Sequence, residues 1–146
     1  MARIHDAVEG YLATRAWPYE DRGNYVVSAV AGESGSWTAC FDLREDDEQL
    51  LVYSVLPLRV PAERRTAVAL FLSRANYGLA IGNFEIDLDD GEVRYKTSID
   101  VEGAVLEEPL IDHLLLANIV TVDRYLRALE SVVAGADPAA SISSVE

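Results

Sequence analysis

LPLRVPAERRTAVALFLSRANYGLAIGNFEIDLDDGEVRYKTSID, residues 56–100, sets the architecture of this chain. A strand ends in Pro57, and Pro61 opens a helix over 61–77, where proline loses nothing because the first helical N–H is unpaired anyway. Val68, Phe71, Leu72 and Ala75 form its packing stripe, while Arg64, Arg65, Ser73 and Arg74 face out. Asn76, Tyr77 and Gly78 close the helix. Asn76 can adopt left-handed geometry or turn its amide onto free carbonyls, Tyr77 is expected to pack against the sheet, and Gly78 suits the left-handed position past the end. A hairpin follows over 80–88 and 92–101, turning at Asp89-Asp90-Gly91, where Gly91 supplies positive φ. Phe84, Ile86 and Leu88 alternate with acids, and Val93, Tyr95, Thr97 and Ile99 alternate with polar residues. Glu85 and Asp87 then face Arg94 and Lys96 across the strands.

Upstream, Ile4, Val8, Tyr11 and Leu12 make the stripe of an amphipathic helix over 2–16, ended by Trp17-Pro18. Residues 20–24 read as a polar loop. Three strands follow at 25–31, 36–43 and 49–56, joined by the turn clusters 32–35 and 44–48. The third is apolar on both faces and belongs in the middle of a sheet. Downstream, residues 108–134 form a long helix opened by Pro109, with Ile111, Leu115, Asn118, Val122, Tyr125, Leu126, Leu129 and Val133 on one stripe. The order helix–three strands–helix–two strands–helix predicts an α+β fold, an antiparallel sheet packed by helices. Residues 1–135 read as a single domain, and 136–146 (ADPAASISSVE) as a flexible tail.

Composition narrows the function. The formal net charge is −13, against the Lys/Arg patch that binding nucleic acid requires. The acids concentrate at the expected hairpin tips; Asp46, Asp47, Glu48, Asp89 and Asp90 are candidates for steering a basic partner. The one cysteine, Cys40, excludes an intrachain disulfide and falls in a strand, where it reads as packing. No apolar run approaches a membrane span of ~20 residues, and the start lacks a signal peptide's apolar region, so a cytoplasmic protein is expected. Asp87–Gly91 fails the EF-hand spacing, because glycine stands where the fifth ligand belongs. The two histidines, His5 and His113, lie on different helices with no second His or Cys at ligand spacing and read as surface residues. No nucleophile elbow and no phosphate-binding loop is present. No catalytic residue, cofactor or metal is therefore assigned.

Three positions suggest interaction instead. Leu116 and Val120 form an apolar pair on the polar face of the last helix, and Asn118 interrupts its apolar stripe. Asn118 either finds a buried hydrogen-bond partner or sets register in a helix–helix contact.

The pattern Leu56-Pro57 … Val60-Pro61 … Phe71-Leu72 … Asn76-Tyr77 … Gly82-Asn83-Phe84-Glu85-Ile86-Asp87 … Asp90-Gly91-Glu92-Val93-Arg94-Tyr95 resembles the bacterial YbjN-domain family over about residues 25–129. The resemblance implies a fold similar to that of type III secretion chaperones, a small acidic and commonly dimeric protein, and a role described as sensory-transduction regulation. It carries over no catalytic residue. The expectation is a non-enzymatic protein-interaction module, chaperone-like or a regulatory adaptor, acting as a homodimer on a client protein that is basic. The alternative is a small-molecule sensor with a pocket between sheet and helix near Tyr53, Tyr77 and Tyr95.

Overall fold

The computed structural model describes residues 3–146, so Ala2, the first residue of the expected N-terminal helix, lies outside the described residues. The chain runs α1 (Arg3–Thr14), β1 (Glu20–Asp21), β2 (Tyr25–Ala31), β3 (Ser36–Arg44), β4 (Gln49–Arg59), a 3-10 turn (Ala62–Arg64), α2 (Arg65–Gly78), β5 (Asn83–Ile86), β6 (Glu92–Asp100), α3 (Glu108–Val133) and α4 (Pro138–Val145). Six strands form one antiparallel sheet in the order β1-β2-β3-β4-β6-β5.

Period-two alternation sorts the strands into two faces. Val26, Val30, Trp37, Ala39, Phe41, Leu43, Leu50, Val52, Leu56, Val93 and Tyr95 join Ile4, Val8, Phe71, Leu72, Leu115 and Leu126 in one core. The helices therefore pack on one side. Residues of the opposite parity, among them Thr38, Cys40, Asp42, Tyr53, Arg94 and Lys96, face away from them. β4 is buried on both faces. On the helix-free side, the Arg94 guanidinium covers Tyr53, 4.2 Å above its ring.

The α+β order expected from the sequence is the one observed, with four corrections. Residues 20–21 pair with Val27 and Val26 as an edge strand rather than forming a loop. β4 does not end at Pro57 but runs to Arg59, because a register shift between Val55 and Arg59 takes Pro57, which has no N–H, out of the ladder. Pro61 precedes the helical turn with extended backbone (φ −63°, ψ 151°) instead of occupying its first position. Residues 136–146 are not a loose tail: Asp137 accepts a hydrogen bond from the Ala140 N–H at 2.9 Å and starts α4, whose Ile142 is buried. Its small residues form no periodic stripe that suggests a packed helix; Ile142, Val145 at the core margin and the surfaces of α2 and α3 supply the reason to fold.

The β5–β6 hairpin closes on Gly91, with φ +81°. A Cβ there would run into the Val60 carbonyl oxygen, and the Gly91 carbonyl accepts the Val60 N–H at 2.9 Å. The glycine thus ties the hairpin to the β4–α2 connection. Gly91→Ala is expected to lower stability by about 1–3 kcal/mol, from left-handed strain plus the clash, read as a reduced urea midpoint at unchanged m-value.

Candidate functional site

α3 crosses β4 and β6. Its rotation is fixed by Asn118, which is fully buried. The Asn118 Nδ2 donates to the Val52 carbonyl on β4 at 2.9 Å, and to the Tyr95 carbonyl and Thr97 Oγ1 on β6 at 3.3 Å each. Thr97 Oγ1 donates in turn to the Leu114 carbonyl at 2.9 Å. Asn118 Oδ1 has no partner among the described residues. Asn118 is therefore a helix-to-sheet lock. It sets no helix–helix register and cannot be a surface contact, which corrects its place among the interaction candidates.

Residues two away from Asn118 point about 200° round the helix, toward solvent. Leu116 and Val120 are 49% and 64% exposed. They share a flank with Asp112 and Asp123, and both of those are fastened. The Tyr11 hydroxyl donates to Asp112 Oδ1 at 2.7 Å, and Ser34 donates through its N–H to Asp123 Oδ1 (2.7 Å) and through Oγ to the Asp123 carbonyl (2.6 Å). The apolar pair is thus held open between α1 and the β2–β3 turn.

A second apolar area runs along α2 and the loop after it: Leu70, Tyr77 and Ile81 are each more than half exposed, Tyr77 at 96%. Tyr77 does not pack on the sheet. It lies about 200° from Ala75 and so opposite the buried stripe. Asn76 turns to the sheet instead. Its Oδ1 accepts the Phe84 N–H at 2.7 Å and its Nδ2 donates to the Phe84 carbonyl at 3.1 Å, a two-bond pairing with the outer edge of β5. Gly78 is the last residue of α2 and has no positive φ; the glycine that does, in the loop after it, is Gly82.

The acids divide between structural and free. Glu45 accepts the N–H groups of Ile4 (2.8 Å) and His5 (2.7 Å), capping α1 from the β3–β4 turn. Glu48 pairs with Arg3 at 2.6 Å and Asp90 with Arg59 at 2.8 Å. Asp46, Asp47 and Asp89 remain exposed. Glu85 binds both Arg94 (2.7 Å) and Lys96 (2.9 Å), the cross-strand pairing expected for it. Burial opposes ionisation of Glu85, but its two cationic partners prevail and hold the carboxyl below the usual range.

His5 is not an isolated surface residue. Its Nε2 lies 2.9 Å from Asp21 Oδ2, and its Nδ1 lies 3.2 Å from Glu9 and 3.8 Å from Asp6. Tyr19 donates to the other oxygen of Glu9 at 2.9 Å. The hydrogen bond to Asp21 is the main cause of a raised His5 pKa, with the charges of Asp21, Glu9 and Asp6 adding to it against desolvation. His5, Asp6 and Glu9 place ligand-type atoms within 4.8 Å of one another, but Asp6 is 78% exposed, and a protonated imidazole accounts for the arrangement as a clamp from α1 to β1. Beside it a cavity of about 600 Å3 opens between Asn24, Arg44, Glu45, Asp46 and Asp47.

The three tyrosines expected around a ligand pocket are separated. Tyr95 is buried in the core and hydrogen-bonds the Ile81 carbonyl, Tyr53 lies on the helix-free face, and Tyr77 is in solvent. Tyr53 lines a cavity of about 250 Å3 with Tyr25, Cys40, Asp42, Val55 and Arg94. Burial pushes the Cys40 thiol pKa up, consistent with an inert side chain. Among the described residues, no helix is long and apolar enough to cross a membrane.

A helical layer on one face of an antiparallel six-strand sheet defines the class, a small α+β fold shared with solved structures of low sequence identity. A chain of the HopA1–SchA chaperone–effector complex superposes with a TM-score of 0.52 at 14% identity, covering 82% of this chain and 89% of that one. A chain of the ExsC–ExsE complex gives 0.59 at 12% identity, covering 88% and 97%. YbjN from E. coli, described as a putative transcription regulator, gives 0.60 at 12% identity, covering 84% and 90%. No curated protein sequence matches. The family model "YbjN: Putative bacterial sensory transduction regulator" matches residues 5–131, and the chain belongs to that family.

Two measurements check this account. Asn118→Ala leaves the Val52 and Tyr95 carbonyls without their side-chain donor and opens a void; it is expected to cost about 2–4 kcal/mol in urea unfolding. For His5, a raised folded-state pKa means its clamp is fully present below the unfolded value of about 6.5 and is lost as pH rises through the folded value. The Asp21 carboxyl is held low, first by the Gly23 N–H and then by His5, so its share is lost as pH falls through that lowered value. The stability gap between the native chain and His5→Gln is therefore widest between these limits and closes on the alkaline side; a gap that keeps growing as pH rises through the folded-state value of His5 contradicts the clamp.

Proposed function

We propose that this protein is a non-enzymatic adaptor of the bacterial cytosol, chaperone-like or regulatory, that works as a homodimer and holds a segment of a client protein. The observation that carries the reading is the outward pair Leu116 and Val120 on α3, between the fastened points Asp112 and Asp123. Apolar side chains on a formed helix need no backbone ordering when a partner covers them and lose only their own rotamer freedom. Family membership and the fold shared with a chaperone–effector complex support the same reading. The free acids Asp46, Asp47 and Asp89, in a chain of net charge −13, favour a client with basic residues beside its apolar ones. The exposed side of α2, with Leu70 and Tyr77, offers a separate apolar surface for the second copy.

Burying a leucine and a valine is worth about 1.5–3 kcal/mol each when complete, so Leu116→Glu with Val120→Glu should weaken client capture by at least about tenfold while far-UV circular dichroism stays unchanged. Light scattering at low and high salt tests the dimer: an apolar seam persists as the Debye length shrinks, whereas a charge-driven one weakens. A chain that is monomeric at high micromolar concentration and retrieves no specific partner would falsify the proposal.

The small-ligand reading places a pocket between sheet and helix near Tyr53, Tyr77 and Tyr95; its remaining support is a cavity of about 250 Å3 under Arg94 and Tyr53, on the helix-free face instead. A metabolite that raises the melting temperature by several degrees would favour it.

A further inference from the structure

β1 is the shortest strand of the sheet. It has 2 residues, both exposed, and it pairs only with Val26 and Val27. The Arg22 N–H donates to the Tyr25 carbonyl at 2.9 Å, and the pairing of Glu20 with Val27 keeps that phase, so Tyr25 and Val27 turn their backbone groups to β1. Val26, in phase with the Gly32 N–H bonded to the Gly35 carbonyl, faces β3. The approach to β1 is well anchored: Trp17 and Tyr19 pack at the core margin, Ser28 Oγ donates to the Pro18 carbonyl at 2.8 Å, and Tyr19 donates to Glu9. Beyond Tyr19, among the described residues, His5 alone ties the strand to α1.

That tie is a lone cation among acids. His5 Nε2 lies 2.9 Å from Asp21 Oδ2 on β1, and Nδ1 lies 3.2 Å from Glu9 and 3.8 Å from Asp6 on α1. From the β3–β4 turn, Glu45 accepts the His5 backbone N–H, and Arg44, Asp46 and Asp47 line the cavity that His5 borders. Among the described residues no Lys or Arg pairs with Asp6, Glu9 or Asp21; Arg22 goes to Glu20 at 2.9 Å, Arg44 to Asp42 at 3.1 Å and Arg3 to Glu48 at 2.6 Å. Without the imidazole's proton, the carboxylates of α1 and β1 face each other uncompensated, in a chain whose net charge is −13. The contact then turns from attraction to repulsion.

We propose that His5 is a pH-operated fastening: on losing its proton it lets β1 and the turn after it come away from α1, which bares the outer side of β2 from Tyr25 to Ala31. With β1 in place, only the end of β2 beyond Val27 is without an outer neighbour. With β1 released, the whole uncharged run YVVSAVA presents an unpaired border. The raised pKa of His5 gives the direction: β1 is held on the acid side and released as pH rises through the folded-state value. The fastening uses neither Leu116 nor Val120, so it and the client reading can fail independently.

Amide hydrogen exchange on the full chain tests it, with the His5 ring resonances followed in the same samples. As His5 loses its proton, the protection factor of Val27 should fall at least about threefold through local opening, while that of Val26 holds steady. His5→Gln should show weak Val27 protection that no longer depends on pH, and His113→Gln should keep the fall. Constant Val27 protection through the titration would overturn the proposal, as would an equal fall at Val26, since the opening would then be general. A fall that survives in His5→Gln, or one abolished by His113→Gln, would do the same. So would a His5 ring that does not titrate between about pH 5 and 9.

Discussion

The fold depends on how α3 is held against the seam between β4 and β6, and the holding group is a single buried amide. Asn118 reaches carbonyls on both strands, so the helix cannot slide or roll without stripping donors from polar groups that have no water to replace them. An apolar residue in its place would fill volume but tolerate rotation. A fixed rotation also determines what the molecule shows outside. Leu116 and Val120 are exposed because Asn118, two residues from each, is anchored on the opposite side. One polar contact in the core thereby sets the phase of an apolar surface.

The negative charge is put to two uses. Part of it is internal fastening: Glu45 caps α1, Glu48 binds Arg3, Glu85 gathers Arg94 and Lys96, and Asp123 holds the β2–β3 turn. Only some of the acids at the hairpin tips are free of such bonds. Acids that bind backbone N–H groups keep their charge, so the field of a net charge of −13 persists, with Asp46, Asp47 and Asp89 at the tips and Glu63, Glu102 and Glu130 elsewhere among its exposed sources.

The long periodic elements were legible in the sequence because burial repeats along them. The stripe Val68–Phe71–Leu72–Ala75 and the alternation in β3 and β6 are local signals of a non-local core. The exposure of Leu116 and Val120 followed from the same phase. That phase also placed Tyr77 in solvent, but the aromatic ring suggested burial and prevailed over the helical angle. Other features have no local signal. Glu45 caps a helix some forty residues away, so nothing near either partner announces it. Asn118 was recognisable as buried, but its partners belong to strands that meet only in the folded sheet. α4 lacks a stripe wide enough to read, since Ile142 and Val145 alone carry its apolar side. The His5 cluster was missed because Asp21 comes from β1, an edge strand with only two paired residues.

The side-chain amide of Asn76 has a consequence for how copies of this chain can associate. It saturates Phe84 on the outer margin of the sheet, leaving a newcomer no matching row of donors and acceptors there. Strand addition at that border is hindered at Phe84, while on the opposite border β1 pairs only with Val26 and Val27 and leaves the outer side of Ala29–Ala31 without a paired strand. A sheet guarded on one side has one side left to lengthen from, so two copies can join edge to edge there but a third finds no second edge to continue on.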